Sequence, residues 1–160
     1  MDDAFEVLRS AHRRVEDLFE QIRDAGEPPD PTQRRDLCEL VMGELDRHCT
    51  VEENLLYPLL HQVLPANDTA AETCLRDHTE VRQAMQVLVD ADACTDADRF
   101  TRELAILVRL VRHHLAEEDT LLSRLERNCT PEQRDELAAG LHQAHLDRAE
   151  SVGADPPATA

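Results

Sequence analysis

Apolar residues recur at steps of three and four along most of the chain, and no stretch alternates apolar with polar as a half-buried strand does. The pattern predicts a first helix from Asp2 or Asp3 to Gly26, with Pro28 and Pro29 just beyond and an apolar face of Phe5, Leu8, His12, Val15, Phe19 and Ile22. A second starts with Asp30 as N-cap, Pro31 at the first helical position and Gln33 as box partner, and runs to about Val63 before Pro65. Pro58 lies inside it and is expected to kink it or end it early. The third opens with a Thr69–Glu72 capping box and shows Cys74 or Leu75, His78, Val81, Met85 and Leu88 on one face. The fourth opens at Thr95, with Asp98 three residues on, and its face reads Leu104, Leu107, Val111, His114, Glu118, Leu121 and Leu125.

A fifth helix begins at Thr130-Pro131-Glu132-Gln133 and carries His142 and His145 to about Glu150. Four long helices with short connections predict an all-α, up-down-up-down antiparallel four-helix bundle with an additional C-terminal helix, docked outside it or reaching a partner subunit. The expected organisation is a single domain over 1–150, with a bundle core of about 3–127, a fifth helix of about 131–150 and a disordered tail over 151–160.

Composition narrows the picture. Hydrophobic residues are 41% of the 160 but aromatics only 2%, so the core must be built from Leu, Val and Ala, which suits packed helices. The formal net charge of −17 repels phosphate backbones and argues against nucleic acid and anionic membrane as partners. No apolar run is long enough to span a bilayer, and the acidic start MDDAFEVL lacks a signal-peptide apolar segment, so the expected location is cytoplasmic. Five cysteines without a CxxC spacing then read as reduced thiols rather than a zinc knuckle.

The residues that ask for an explanation are polar ones on apolar faces. His12, His48, His78 and His114 stand one to a helix, and Glu52 and Glu118 lie one turn beyond His48 and His114 on the same faces. Any one of these histidines reads most simply as a hydrogen-bonded core residue. Burying four imidazoles and two carboxylates without partners, however, costs several kcal/mol per charge. With about 1.5 Å of rise per residue, the four histidines fall in one slab of the bundle. Imidazole plus carboxylate suits iron, manganese or zinc. Six such ligands argue for two ions, with the glutamates and an oxo or hydroxo group bridging and two positions left open to a small molecule.

In this order the six residues resemble the hemerythrin-like domain proteins, whose pattern is H…HxxxE…H…HxxxE. Here it reads His12, His48-Cys-Thr-Val-Glu52, His78 and His114-Leu-Ala-Glu-Glu118, with ENLLYP and DTLLSR flanking, over roughly Asp3 to Arg127. The resemblance implies a non-haem centre of two iron ions with two bridging glutamates. It also implies a small-molecule partner: O₂, peroxide or nitric oxide. Family members bind or sense these molecules, turn them over, or serve iron homeostasis and iron–sulfur repair. The N-terminal cysteine pair of the repair members is missing here. Oxygen carriers place a second histidine one turn before the third-helix histidine, where this chain has Cys74. That change argues against reversible O₂ carriage and for a neutral thiol that leaves one position open, favouring catalase-like peroxide turnover. The alternative is a sensor or iron-homeostasis protein without turnover.

Further residues could add a ligand: Glu44 one turn before His48, Tyr57, and a parallel His113/Glu117 pair one residue out of phase with His114/Glu118. The His114/Glu118 register is preferred because it continues the apolar face. His61, His142 and His145 read as surface residues. Glu53 and Asp119 sit about 100° round their helices from the metal face and are expected to matter less than Glu52 and Glu118.

Overall fold

The computed structural model describes residues 3–24 and 30–153, and every regular element among them is helical. In chain order these are α1 (Ala4–Arg23), α2 (Pro31–Val51), a five-residue π turn (Glu52–Leu56), α3 (Tyr57–Val63), α4 (Ala70–Asp90), α5 (Ala97–Asn128) and α6 (Pro131–Gly153). The predicted helix stop at Gly26 and the flanking Pro28 and Pro29 lie outside the described residues, as does the expected tail from 154. Residues 151–153, assigned to that tail, instead extend α6.

Short acidic side chains start most of the helices. Asp3 accepts from the Phe5 N–H at 2.9 Å, and Asp30 from the Thr32 and Gln33 N–H groups at 2.9 and 3.4 Å. The box on α6 is reciprocal: Thr130 N–H donates to Gln133 Oε1 at 3.0 Å and Gln133 N–H to Thr130 Oγ1 at 3.2 Å. Two predicted starts are corrected. Thr69 makes no capping bond, because Asp68 takes the Ala70 N–H at 2.9 Å. On α5 the cap is Asp96, accepting from Arg99 N–H at 3.1 Å, rather than Thr95. In both places an ionised carboxylate outcompetes a neighbouring hydroxyl.

Pro58 does not end its helix. The π turn comes just before it, closed by the Tyr57 N–H on the Glu52 carbonyl, so Pro58 falls in the first turn of α3, where a missing N–H costs nothing. The turn also resets the helix face. In an α-helix the fifth residue after Glu52 would lie about 140° round the axis. A π turn bonds residue i to i+5 and stacks it one turn above, so Tyr57 is buried on the side of Glu52.

Helix α1 packs on α2 and α5, and α4 packs on α2 and α5, which closes a ring of four. The apolar interior comes in two parts. One holds Val15, Phe19, Val41, Leu45, Val81 and Leu107, and the other Phe5, Leu8, Leu56, Leu60, Leu122 and Leu125. On each of the four helices the passage from one to the other occurs at a histidine of the predicted set.

Helix α6 lies across α1 and the π turn, with Leu137 and Leu141 buried. Its close approach needs Gly140, where a Cβ would stand 3.0 Å from Leu55 Cδ2. Replacing Gly140 by Val is therefore expected to destabilise the fold by about 1–3 kcal/mol, measured by urea unfolding, despite the better helix propensity of any side chain over glycine.

Candidate metal centre

Between the two apolar clusters lies a layer of six polar side chains. His12 comes from α1, His48 from α2, Glu52 from the start of the π turn, His78 from α4, and His114 and Glu118 from α5. All are buried, and both glutamates and His78 are fully so. Ring centroids are 5.0 Å apart for His12–His48, 6.3 Å for His48–His78, 6.2 Å for His48–His114 and 4.6 Å for His78–His114.

The two carboxylates stand among the four rings. Glu52 Oε1 is 3.1 Å from His48 Nδ1 and 3.7 Å from His12 Nε2, while its Oε2 is 3.4 Å from His78 Nε2. Glu118 Oε2 is 3.4, 3.6 and 3.3 Å from the Nε2 atoms of His12, His48 and His114. Two groups of possible ligand atoms result. One is His12, His48, Glu52 and Glu118, and the other Glu52, His78 and His114, with the atoms of each group within 4.8 Å of one another. Neighbouring ligands on a cation with bonds of about 2.1 Å are about 3 Å apart, close to these separations.

The donor set also lacks protein partners. His12 Nε2, His48 Nε2 and all four glutamate oxygens are buried and accept or donate no hydrogen bond of proper geometry. Orphans of this kind are rare, and each costs about 1–3 kcal/mol or more when charged. A pair of cations would satisfy all of them at once, so the residues fit a metal.

Ionisation follows the same geometry. Burial, reinforced by the Glu118 charge, pushes Glu52 well above the usual carboxylate range. Burial works on Glu118 too, but bonds from His114, His12 and His48 outweigh it and hold Glu118 well below that range. Burial opposes a proton on His12, yet Glu118 and Glu52 raise it to about 10. Burial and the neighbouring His114 lower His78 to about 4. The polypeptide alone would thus share protons where a cation could supply the charge.

A second set of carboxylates orients the rings. His12 Nδ1 donates to Asp119 at 2.9 Å and His78 Nδ1 to Glu53 at 2.8 Å, while His114 Nδ1 faces Asp77 at 3.6 Å. A carboxylate only accepts, so the first two bonds place the hydrogen on Nδ1 and turn the Nε2 lone pair inward. Arg82 in turn grips Glu53 at 2.6 Å.

Sequence reasoning had set Glu53 and Asp119 aside for their angle round the helix. Both reach sideways to the ring of a neighbouring helix instead. Asp77 went unnoticed, although an acidic residue directly beside a candidate ligand was the common signal for all three.

The remaining predictions sort cleanly. His113 and Glu117 are exposed, which settles the register on α5 in favour of His114 and Glu118. His61, His142 and His145 are also exposed. Glu44 points to Arg47 and Arg148, at 2.7 and 2.8 Å, and belongs to neither ligand group. Tyr57 is buried with its hydroxyl 2.9 Å from His78 Nε2. Cys74 is buried outside both groups, and burial pushes its thiol up to about 12.

The hemerythrin HHE cation binding domain family matches residues 3–125, which include all six residues of the layer. This chain belongs to that family. Among curated relatives, a DNA nickase of Nostoc sp. (strain PCC 7120) is 25% identical over 135 residues, covering 83% of this chain and 36% of the relative. The chain thus spans about a third of the relative's length. No solved structure gives a significant match. Membership makes this a cation-binding helical domain. No helix among the described residues is long and apolar enough to cross a membrane.

Proposed function

We propose that this hemerythrin-family domain holds two iron ions. His12 and His48 would serve one, His78 and His114 the other, and Glu52 and Glu118 would bridge them. The observation that carries the reading is the set of buried ligand atoms with no protein partner. Bound iron would supply one-electron chemistry and open positions for O₂, peroxide or nitric oxide. The protein's own part is to hold the four rings in the correct tautomer through Asp119, Glu53 and Asp77, and to keep bulk water from a layer sealed by apolar clusters on both sides. Tyr57, with its hydroxyl at His78, can donate a hydrogen bond or a further ligand there.

The ring of helix contacts supports the up-down-up-down antiparallel bundle, and five free cysteines support a cytoplasmic location. A charge of −17 speaks against the DNA substrate that the Nostoc relative's name suggests, and against membrane surfaces.

Metal analysis with an optical spectrum of protein purified in air tests the centre and separates iron from manganese or zinc. Gas evolution on adding peroxide to the iron-loaded protein identifies an enzyme. A reversible spectral change with O₂ or nitric oxide, without turnover, identifies a sensor or an iron-homeostasis protein. Cys74→His is expected to slow peroxide consumption by placing an imidazole one turn before His78. An unchanged rate in a folded, metal-loaded variant would remove Cys74 from the function.

A further inference from the structure

Two clefts of different character reach the His/Glu layer from outside. One, of about 390 Å³, lies where α1, α2 and α6 meet, and His48 lines it. Its wall runs from buried Leu8, Val15 and Leu141 through half-buried Ala11 and Ala144 to a mouth at exposed Arg47. The other, of about 680 Å³, opens between α1 and α5 at His12 and is walled mainly by charged and hydroxyl side chains, Arg13, Glu16 and Asp119 among them.

His48 stands apart from the other three imidazoles. Each of those turns Nδ1 to a carboxylate outside the layer, whereas both nitrogens of His48 face the layer's own glutamates. Among the described residues no outer carboxylate pairs with it, and the cavity lies beside it instead.

Part of that cavity wall comes from α6, which begins beyond residue 125, where the family match ends. The helix is firmly seated. Leu137 and Leu141 are buried, Gly140 abuts Leu55, and Arg148 bonds Glu44 at 2.8 Å. Glu44 also binds Arg47 at 2.7 Å, so charges at the mouth are paired with one another. Ala11 and Ala144 leave unfilled the volume that longer side chains would occupy.

We propose that this cavity is a holding site for a small, uncharged, weakly hydrated molecule of the size of a diatomic gas, which it delivers to the centre at His48. Ala11 and Ala144 set its size limit. The delivery step rests on the metal reading above, whereas the holding site does not. The physical basis is partition: an apolar cavity holds water poorly and takes up apolar gases, while a charged cleft stays hydrated and favours polar species such as peroxide.

Xenon tests the holding site on the metal-free full chain, followed by methyl-resolved NMR. Saturable shifts are expected at the methyls of Ala11, Leu141 and Ala144 and not at Ala116, which lines the His12 cleft. Ala144→Leu, checked for folding by its melting curve, abolishes them, and Ala11→Val is the second variant if the first does not fold. Saturable shifts centred on Ala116, or none in either cleft, overturn the proposal.

Delivery is read from the association rate of nitric oxide with iron-loaded protein. The rate is expected to fall about tenfold in Ala144→Leu and to hold in Ala116→Leu. Equal rates in the two variants overturn it. Xenon binding in a chain that retains no metal supports the holding site and sinks the metal reading, so the two fail separately.

Discussion

Chelating the bound metal is expected to lower the melting temperature by about 8–16 °C. At a free-metal concentration a thousandfold above the dissociation constant, one site contributes about 4.1 kcal/mol. A domain of this size moves by about 2–4 °C per kcal/mol. The cause lies in the layer itself, where His12 Nε2, His48 Nε2 and four carboxylate oxygens have no protein partner.

Glu118→Ala should abolish that difference, because Glu118 Oε2 lies within 3.6 Å of three imidazoles and is their shared anion. The variant should be unstable even without metal, by about 3–5 kcal/mol, since removing one member of a buried charge cluster strands the others. Differential scanning calorimetry with and without chelator measures both effects. A parent protein whose melting is indifferent to chelator would show that the layer does not hold a cation.

The second large effect concerns residues outside the ligand groups. Glu53→Ala and Asp119→Ala are each expected to weaken metal binding by about 10–100-fold, measured by competition with a chromophoric chelator. Each loses the acceptor that fixes a ring: Glu53 for His78 at 2.8 Å and Asp119 for His12 at 2.9 Å. Without it the imidazole can rotate or shift its hydrogen to Nε2, which takes the lone pair away from the layer. Glu117→Ala is the control, because Glu117 is exposed one residue out of phase with Glu118 and should leave affinity unchanged. If the control weakened binding as much as Asp119→Ala, general loss of negative charge rather than ring orientation would be the cause.

Local chemistry carried much of the reading. The step of three and four placed His12, His48, His78 and His114 on apolar faces because a helix repeats every 3.6 residues, and a face that is apolar over several turns must be buried. Asp3, Asp30 and the Thr130–Gln133 box could be recognised because a cap involves residues only two or three apart. The choice of His114/Glu118 over His113/Glu117 followed from the same periodicity. At Thr69 and Thr95 local rules failed by one residue, since two neighbouring side chains could each cap and only the folded backbone selects between them.

Other features depended on contacts between helices, which no spacing along one helix reveals. Asp119 belongs to α5 yet serves a ring on α1, and Glu53 from the π turn serves a ring on α4. Tyr57 reaches His78 because a π turn removes the angular offset that an α-helix would impose, and sequence alone anticipated only a kink at Pro58. The cavity at His48 exists because α6 lies over α1 and α2, its approach set by the missing side chain of Gly140. By itself the sequence determined the helices, the faces they bury and the six residues that gather between two apolar clusters. Tertiary structure alone decided which carboxylate orients which ring and where the layer can be reached from outside, because those are distances between chain segments far apart in sequence.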